Sequence, residues 1–166
     1  SDGDSGGEAA GVVVDARSII YTGSVTVRVA DVAAAAGEVT SLADRYGGFV
    51  GADRRSAEEG HASATMLLRI PSEHFTTAVD ALGALGEEES REIETEDVTE
   101  EVVDLEARIA TARVSVARTR ELLDRAESIS DIVAIEEELA EREARLASLE
   151  GRQRRLADLV TLSTIT

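Results

Sequence analysis

Between Ile19 and Val29 the apolar residues fall mainly on odd positions. Ile19, Tyr21, Val25, Val27 and Val29 alternate with Ser18, Thr22, Ser24, Thr26 and Arg28. A period of two predicts a strand with one buried face. Ile20 is the exception. The period then changes. Val32, Ala35, Ala36, Val39, Leu42, Ala43 and Tyr46 recur at three and four, the stripe of an amphipathic helix. Asp31 is placed to cap it, and Gly47-Gly48 to end it. Residues 49–55 read as a second strand. Glu58-Glu59-Gly60 is a turn. Ala62, Ala64, Met66, Leu68 and Ile70 alternate with polar residues in a third strand, which Pro71 stops. Pro71-Ser72 caps a short helix carrying Phe75, Ala78, Val79 and Leu82. Residues 87–96 are acidic, and Ile93 allows a fourth strand at a sheet edge, where charge resists aggregation. Strand–helix–strand twice over predicts an α+β, ferredoxin-like β-α-β-β-α-β head.

Residues 98–159 have a sustained helical period. Asp97 and Glu100 suit the cap and third positions of a first helix. Val102, Leu105, Ile109, Ala112, Val116, Thr119, Leu123 and Ala126 alternate spacings of three and four. Ser128 to Asp131 forms the turn, with Ser130 as the cap. Ile132, Ile135, Leu139, Arg142, Leu146, Leu149, Gln153, Leu156 and Val160 continue the spacing on the way back. Two such stripes joined by a short loop predict a long antiparallel helical hairpin, a coiled coil. Folding about the turn pairs Leu123 with Ile135, Ile109 with Leu149 and Val102 with Leu156. It brings Arg142 near Val116 and Gln153 near Leu105. At 1.5 Å per residue, about 30 residues give an arm on the order of 45 Å. Residues 160–166 return to β character and complete the sheet. The hairpin is thus inserted before the last strand of one α+β domain, residues 17–166. Residues 1–16, rich in Gly, Ser and Asp, read as a flexible tether.

Composition narrows the function classes. The 166 residues carry a net charge of −17 and are 43% hydrophobic, enough for a packed core. Such a charge opposes nucleic-acid binding, which needs a basic surface. Every cation is Arg, so Ser-x-x-Lys chemistry is unavailable. With no Cys there is no disulfide, thiol catalysis or thiolate metal site in this chain. No stretch approaches the roughly 18 apolar residues of a transmembrane helix. His61 and His74 lack metal-ligand spacing, and no phosphate-loop pattern occurs. We expect no catalytic residue and no cofactor.

Two features remain. The first is the acidic run Glu87, Glu88, Glu89, Glu92, Glu94, Glu96 and Asp97, followed by Glu100 and Glu101 and faced only by Arg91. Hard cations such as Ca²⁺ want several carboxylate oxygens, which makes the run a weak candidate metal site. A solvated edge strand leading into a helix start is the plainer account. The second is the arm. Leu122, Ile129 and Val133 lie near its tip and off the main stripe. With Arg142 in the seam, they are the candidate interaction residues.

Several separated stretches, in order, resemble one family. They are Arg17-Ser18-Ile19-Ile20-Tyr21-Thr22-Gly23, then Tyr46-Gly47-Gly48-Phe49-Val50, then Leu68-Arg69-Ile70-Pro71-Ser72 with Phe75. Asp97-Val98-Thr99-Glu100 leads into Asp104-Leu105-Glu106-Ala107-Arg108. Asp131-Ile132, Glu136 and Glu138-Leu139 follow the turn, and Leu162-Ser163-Thr164-Ile165 comes last. Together they resemble bacterial envelope proteins carrying the domain of unknown function numbered 4349. The resemblance implies an exported protein. Such proteins are often lipid-anchored through an N-terminal Cys, and many have a membrane helix after the last strand. On this reading residues 1–16 would be the tether behind the anchor, and membrane attachment would run through segments absent from this chain. The Arg-only, Ala-rich composition suits a high-GC bacterium such as an actinomycete. The family carries no catalytic residues to transfer. The expected function is a non-catalytic extracytoplasmic envelope module, a scaffold or sensor ectodomain. Its arm would contact another envelope protein or a second copy. A ligand- or Ca²⁺-binding sensor using the acidic head is the alternative, and a hydrolase with a dispersed site comes third.

Overall fold

The computed structural model describes residues 17–58 and 60–166. The tether assigned to residues 1–16, and Glu59 in the predicted turn, lie outside the described residues. The elements run β1 (Ile19–Arg28), α1 (Val32–Arg45), β2 (Phe49–Glu58), β3 (His61–Pro71), a 3₁₀ turn (Ser72–His74), α2 (Phe75–Gly83), β4 (Glu87–Asp97), α3 (Thr99–Arg125), α4 (Ile129–Thr161) and β5 (Leu162–Ile165).

Local signals set most boundaries. The Asp31 carboxylate accepts the Ala34 N–H at 3.0 Å and caps α1 as expected. Gly47 ends that helix at φ +73°, a conformation that an L side chain resists. Its N–H donates to Asp44 O, and the next N–H donates to Ala43 O. In α2 the predicted Phe75, Ala78, Val79 and Leu82 are all buried. Ser72 does not cap α2. Its hydroxyl donates instead to Val160 O at 2.7 Å, because the end of α4 lies above it.

The sheet is α+β, with strand order β2-β3-β5-β1-β4. This corrects the simple ferredoxin-like expectation. Without β5 the order would be that of a β-α-β-β-α-β head, with β1 beside β3. Here β5 lies between them, parallel to β1 and antiparallel to β3. The acidic β4 pairs antiparallel with β1 and forms one edge of the sheet.

Helices α1 and α2 cover one face. Leu42, Ala43, Leu68, Ile70, Phe75, Ala78, Val79, Leu82 and Ile165 form its core, with Tyr21, Val25, Val39 and Met66 packed around it. The Phe75 ring lies over Gly23, where an added Cβ would come within 3.1 Å of it, and beside Tyr21, centroids 5.3 Å apart. Successive strand residues point to opposite faces, so Ile20 faces the other way from Tyr21. There it joins Val98, Val102, Leu105, Ile109, Leu156 and Val160 in a second core at the base of the arm. The residue that broke the alternation is the seat of the hairpin.

Candidate functional site: the helical arm and its joint with the head

Helices α3 and α4 form the predicted hairpin. Leu105, Ile109, Val116 and Thr119 of α3 are buried, as is Leu156 of α4, with Leu146 and Leu149 half-buried beside them. Ile109 and Leu149, and Val102 and Leu156, meet in one cluster, in agreement with the expected register. Exposed ion pairs flank the seam: Arg113–Glu150 at 2.8 Å, Arg120–Glu143 at 2.5 Å and Arg152–Glu101 at 2.5 Å. Each contributes at most about 1 kcal/mol, so their main effect is on register.

The hairpin turn differs from expectation by two residues. Ser128, not Ser130, caps α4, accepting the Asp131 N–H at 3.1 Å. An extended backbone at Ser128 sets its hydroxyl over the third helical N–H, whereas Ser130 already lies inside the first turn.

The candidate interaction residues fall in two places. Leu122 is 58% exposed, Ile129 82% and Val133 49%, all in the turns next to the break between α3 and α4. Arg142 is not with them. It sits midway along the seam, its guanidinium donating to the Ser115 hydroxyl and pairing with Glu138 at 2.6 Å, while its Nε is buried without a partner. It therefore belongs to the joint between the two helices, beside Val116 as the register predicted.

The sequence reading missed a second stripe on α3. Val103, Ala107, Ala110, Val114 and Ala117 follow one another at four, three, four and three. All are exposed, Val103 by 61% and Val114 by 49%; Ala107 and Ala117 border the two grooves shared with α4, and Val103, Ala110 and Val114 lie between them on the side away from it. This is the spacing of a coiled-coil seam with no helix packed on it. The signal was in the sequence, but the stronger Leu and Ile stripe masked it.

The arm is bolted to the head by side-chain bonds at its two roots. At the first, the Asp97 carboxylate accepts the Thr99 N–H at 3.0 Å and the Thr99 hydroxyl at 2.6 Å. The Thr99 oxygen in turn accepts the Ser18 N–H, and Val98 N–H donates to Ser18 O. The bonds from Thr99, with the attraction of Arg17, hold the Asp97 carboxyl below the usual carboxylate range. Asp97 therefore does not take the cap position expected for it; it lies one residue ahead of the N-cap, Val98, which makes no side-chain bond. At the second root, Arg69 donates to the Thr164 hydroxyl at 2.9 Å and to Asp158 Oδ2 at 2.5 Å. The buried Ser163 hydroxyl donates to Ile70 O at 2.8 Å.

The acidic run is divided among separate tasks. Glu88 binds Arg91 at 2.6 Å, and Arg91 also reaches Asp80 on α2. Glu89, at the bulge in the β1–β4 ladder, pairs with Arg28. Asp97 holds Thr99. Glu92, Glu94 and Glu96 stand opposite Ser24, Thr22 and Ile20, on the face away from α1 and α2. Glu87 pairs with Arg28 across the ladder. Among the described residues no cluster of three or more His, Asp or Glu side chains could hold a metal ion.

The residues that carried the family resemblance meet at these joints: Ser18 with Val98 and Thr99, Arg69 with Thr164, Ser163 with Ile70, Gly23 under Phe75. The chain belongs to the family defined by the domain of unknown function DUF4349, whose sequence model matches residues 17–166. Comparison with curated proteins and with solved structures finds no match. No helix among the described residues is long and apolar enough to cross a membrane.

Proposed function

We propose that this domain is a non-catalytic, extracytoplasmic contact module whose arm binds a helix of another envelope protein or of a second copy. One observation carries the reading. The arm keeps two apolar surfaces that its own hairpin does not cover, the α3 stripe through Val103 and Val114 and the tip at Leu122, Ile129 and Val133. A seam-like stripe with nothing on it is suited to a partner helix. The paired roots fit the same purpose, since an arm fixed to the sheet presents its surface in one direction. The extracytoplasmic placement rests on the family resemblance, and attachment to a membrane would lie in segments outside this chain.

The test is site-specific photo-crosslinking in the native cells, with the probe at Val114 or Ile129. Val103→Glu with Val114→Glu, and separately Ile129→Ser, should abolish the crosslinked product. Both lie on exposed surface, so stability should change by no more than about 0.5 kcal/mol each. Crosslinking that survives every variant would refute the arm as the contact surface. Sedimentation of the purified domain separates a second copy from a different partner.

A further inference from the structure

The unpartnered stripe on α3 reads the same in both directions. Val103, Ala107, Ala110 and Val114 are spaced by four, three and four, so they are symmetric about a point between Arg108 and Ile109. A second α3 laid antiparallel about that point meets the first with Val on Val and Ala on Ala. Val103 faces Val114 of the other copy, and Ala107 faces Ala110. A two-fold axis imposes this relation: each contact occurs twice, with the residues exchanged. The central alanines let the two helices approach to about 8 Å, the short end of the usual range.

The charges along α3 favour the same orientation. Its first half carries Glu100, Glu101, Asp104 and Glu106 against Arg108. Its second half carries Arg113, Arg118, Arg120 and Arg125 against Glu121 and Asp124. Antiparallel alignment of two copies lays each acidic half on a basic half, whereas parallel alignment lays like on like. At the edges of the stripe, Glu106 comes beside Arg113 of the other copy, and Glu100 beside Arg118. Glu100, Glu106 and Arg118 make no ion pair among the described residues. Arg113 holds Glu150 on α4 at 2.8 Å, yet its side chain stays 62% exposed and can take a second carboxylate. A net charge of −17 sets two copies against each other over most of their surfaces. Helix α3 is where a copy meets both signs in complementary order.

We propose that the occupant of the α3 stripe is a second copy of this chain, docked antiparallel about a two-fold axis beside Arg108 and Ile109. This rests on the arm being a contact surface and narrows the stripe to one partner and one orientation. Val103 and Val114 form the two ends of the contact and the alanines its centre. The Glu106–Arg113 pairs run along one edge, and the Glu100–Arg118 pairs lie at the ends. Layers of Val and Ala bury less than the roughly 1,200 Å² of a stable interface, so the dimer is weak, with a Kd on the order of 10–100 µM. The tip residues Leu122, Ile129 and Val133 lie beyond the paired stretch.

The chain has no Cys of its own, so introduced thiols report orientation without background. Val103→Cys and Val114→Cys both lie on exposed surface and should fold as the wild type does. Mixed in equal amounts and oxidised, they should form a disulfide between position 103 of one copy and 114 of the other. Neither variant should crosslink alone, because like positions lie about 16 Å apart along the axis, beyond disulfide reach. In sedimentation, Glu106→Arg should weaken dimerisation about tenfold, since two symmetry-related pairs become like-charge contacts. Crosslinking of each variant alone, with none between the two, would mean parallel packing and overturn the proposal. So would Glu106→Arg that dimerises as the wild type does. So would a chain that stays monomeric at about 1 mM, tenfold above the weakest Kd expected. Photo-crosslinking from Val114 in the cell then decides the arm reading separately. A product with a different protein keeps that reading and puts a foreign helix on the stripe, whereas no product there or at Ile129 ends it as well.

Discussion

Replacing Arg69 by Met tests whether the second root of the arm is bolted or merely adjacent. The side chain is only 14% exposed, so Met preserves most of the packing of its aliphatic stem while removing the guanidinium. Its bonds to two residues, Thr164 and Asp158, are lost. The bond to the Thr164 hydroxyl, at 2.9 Å, has a neutral acceptor and contributes about 1 kcal/mol. The pair with Asp158 has a partner that is 59% exposed, so solvent screening holds it to about 1 kcal/mol or less. The sum is about 2 kcal/mol, and a domain of this size loses roughly 2–4 °C of melting temperature per kcal/mol, giving a fall of about 4–8 °C. Urea unfolding of Arg69→Met, Asp158→Asn and the double variant closes a cycle. If the ion pair is real, the double variant loses less than the sum of the singles. Strict additivity with a fall below 2 °C would mean that α4 is held by the Leu156 and Val160 packing alone. Arg69→Lys should rescue little, since an ammonium cannot span Thr164 and Asp158 in the planar geometry of a guanidinium.

Two further substitutions test local structure. Gly47→Ala places a side chain at φ +73°, where no neighbour lies within 4 Å, so the cost of about 1–2 kcal/mol is purely conformational. Gly37→Ala, in the middle of α1 and equally open, should instead stabilise by about 0.5–1 kcal/mol. Equal signs in thermal melts would contradict the backbone argument. Asp97→Asn bears on pH. Its carboxyl is held below the usual range in the fold, so the charged form stabilises the folded state above that range and loses its effect as the pH falls through it. The wild type should therefore exceed Asp97→Asn in stability at neutral pH, and the difference should vanish in acid. A difference independent of pH would show that the carboxylate charge plays no part in the Thr99 joint.

The elements themselves could be read from the chain because their signals are local. Alternation from Ile19 to Val29, the three–four stripe of α1, the Asp31 cap and the two stripes of the hairpin each depend on residues within a few turns of one another. The arm's register was legible too, since antiparallel folding about a short turn fixes which residue meets which. The second stripe on α3 was equally present as a pattern. Only burial told which of the two stripes α4 covers.

Other features were decided by tertiary structure. A four-residue apolar-alternating segment such as Leu162–Ile165 fits beside any strand. Its place between β1 and β3 follows from where α4 delivers it, and that depends on packing at Ile20, Leu105 and Leu156, far apart in the chain. Ser72, Arg69 and Ser163 are ordinary polar residues by local criteria. They become fasteners only when Val160, Asp158, Thr164 and Ile70 are brought within hydrogen-bond reach. The acidic run likewise looked like one cluster, because sequence proximity hides direction. In the sheet the strand sends neighbouring side chains to opposite faces and gives Glu88, Glu89 and Asp97 different partners. Periodicity is a property of a segment alone, whereas pairing, facing and the joint between arm and head are properties of two or more segments and exist only once they meet.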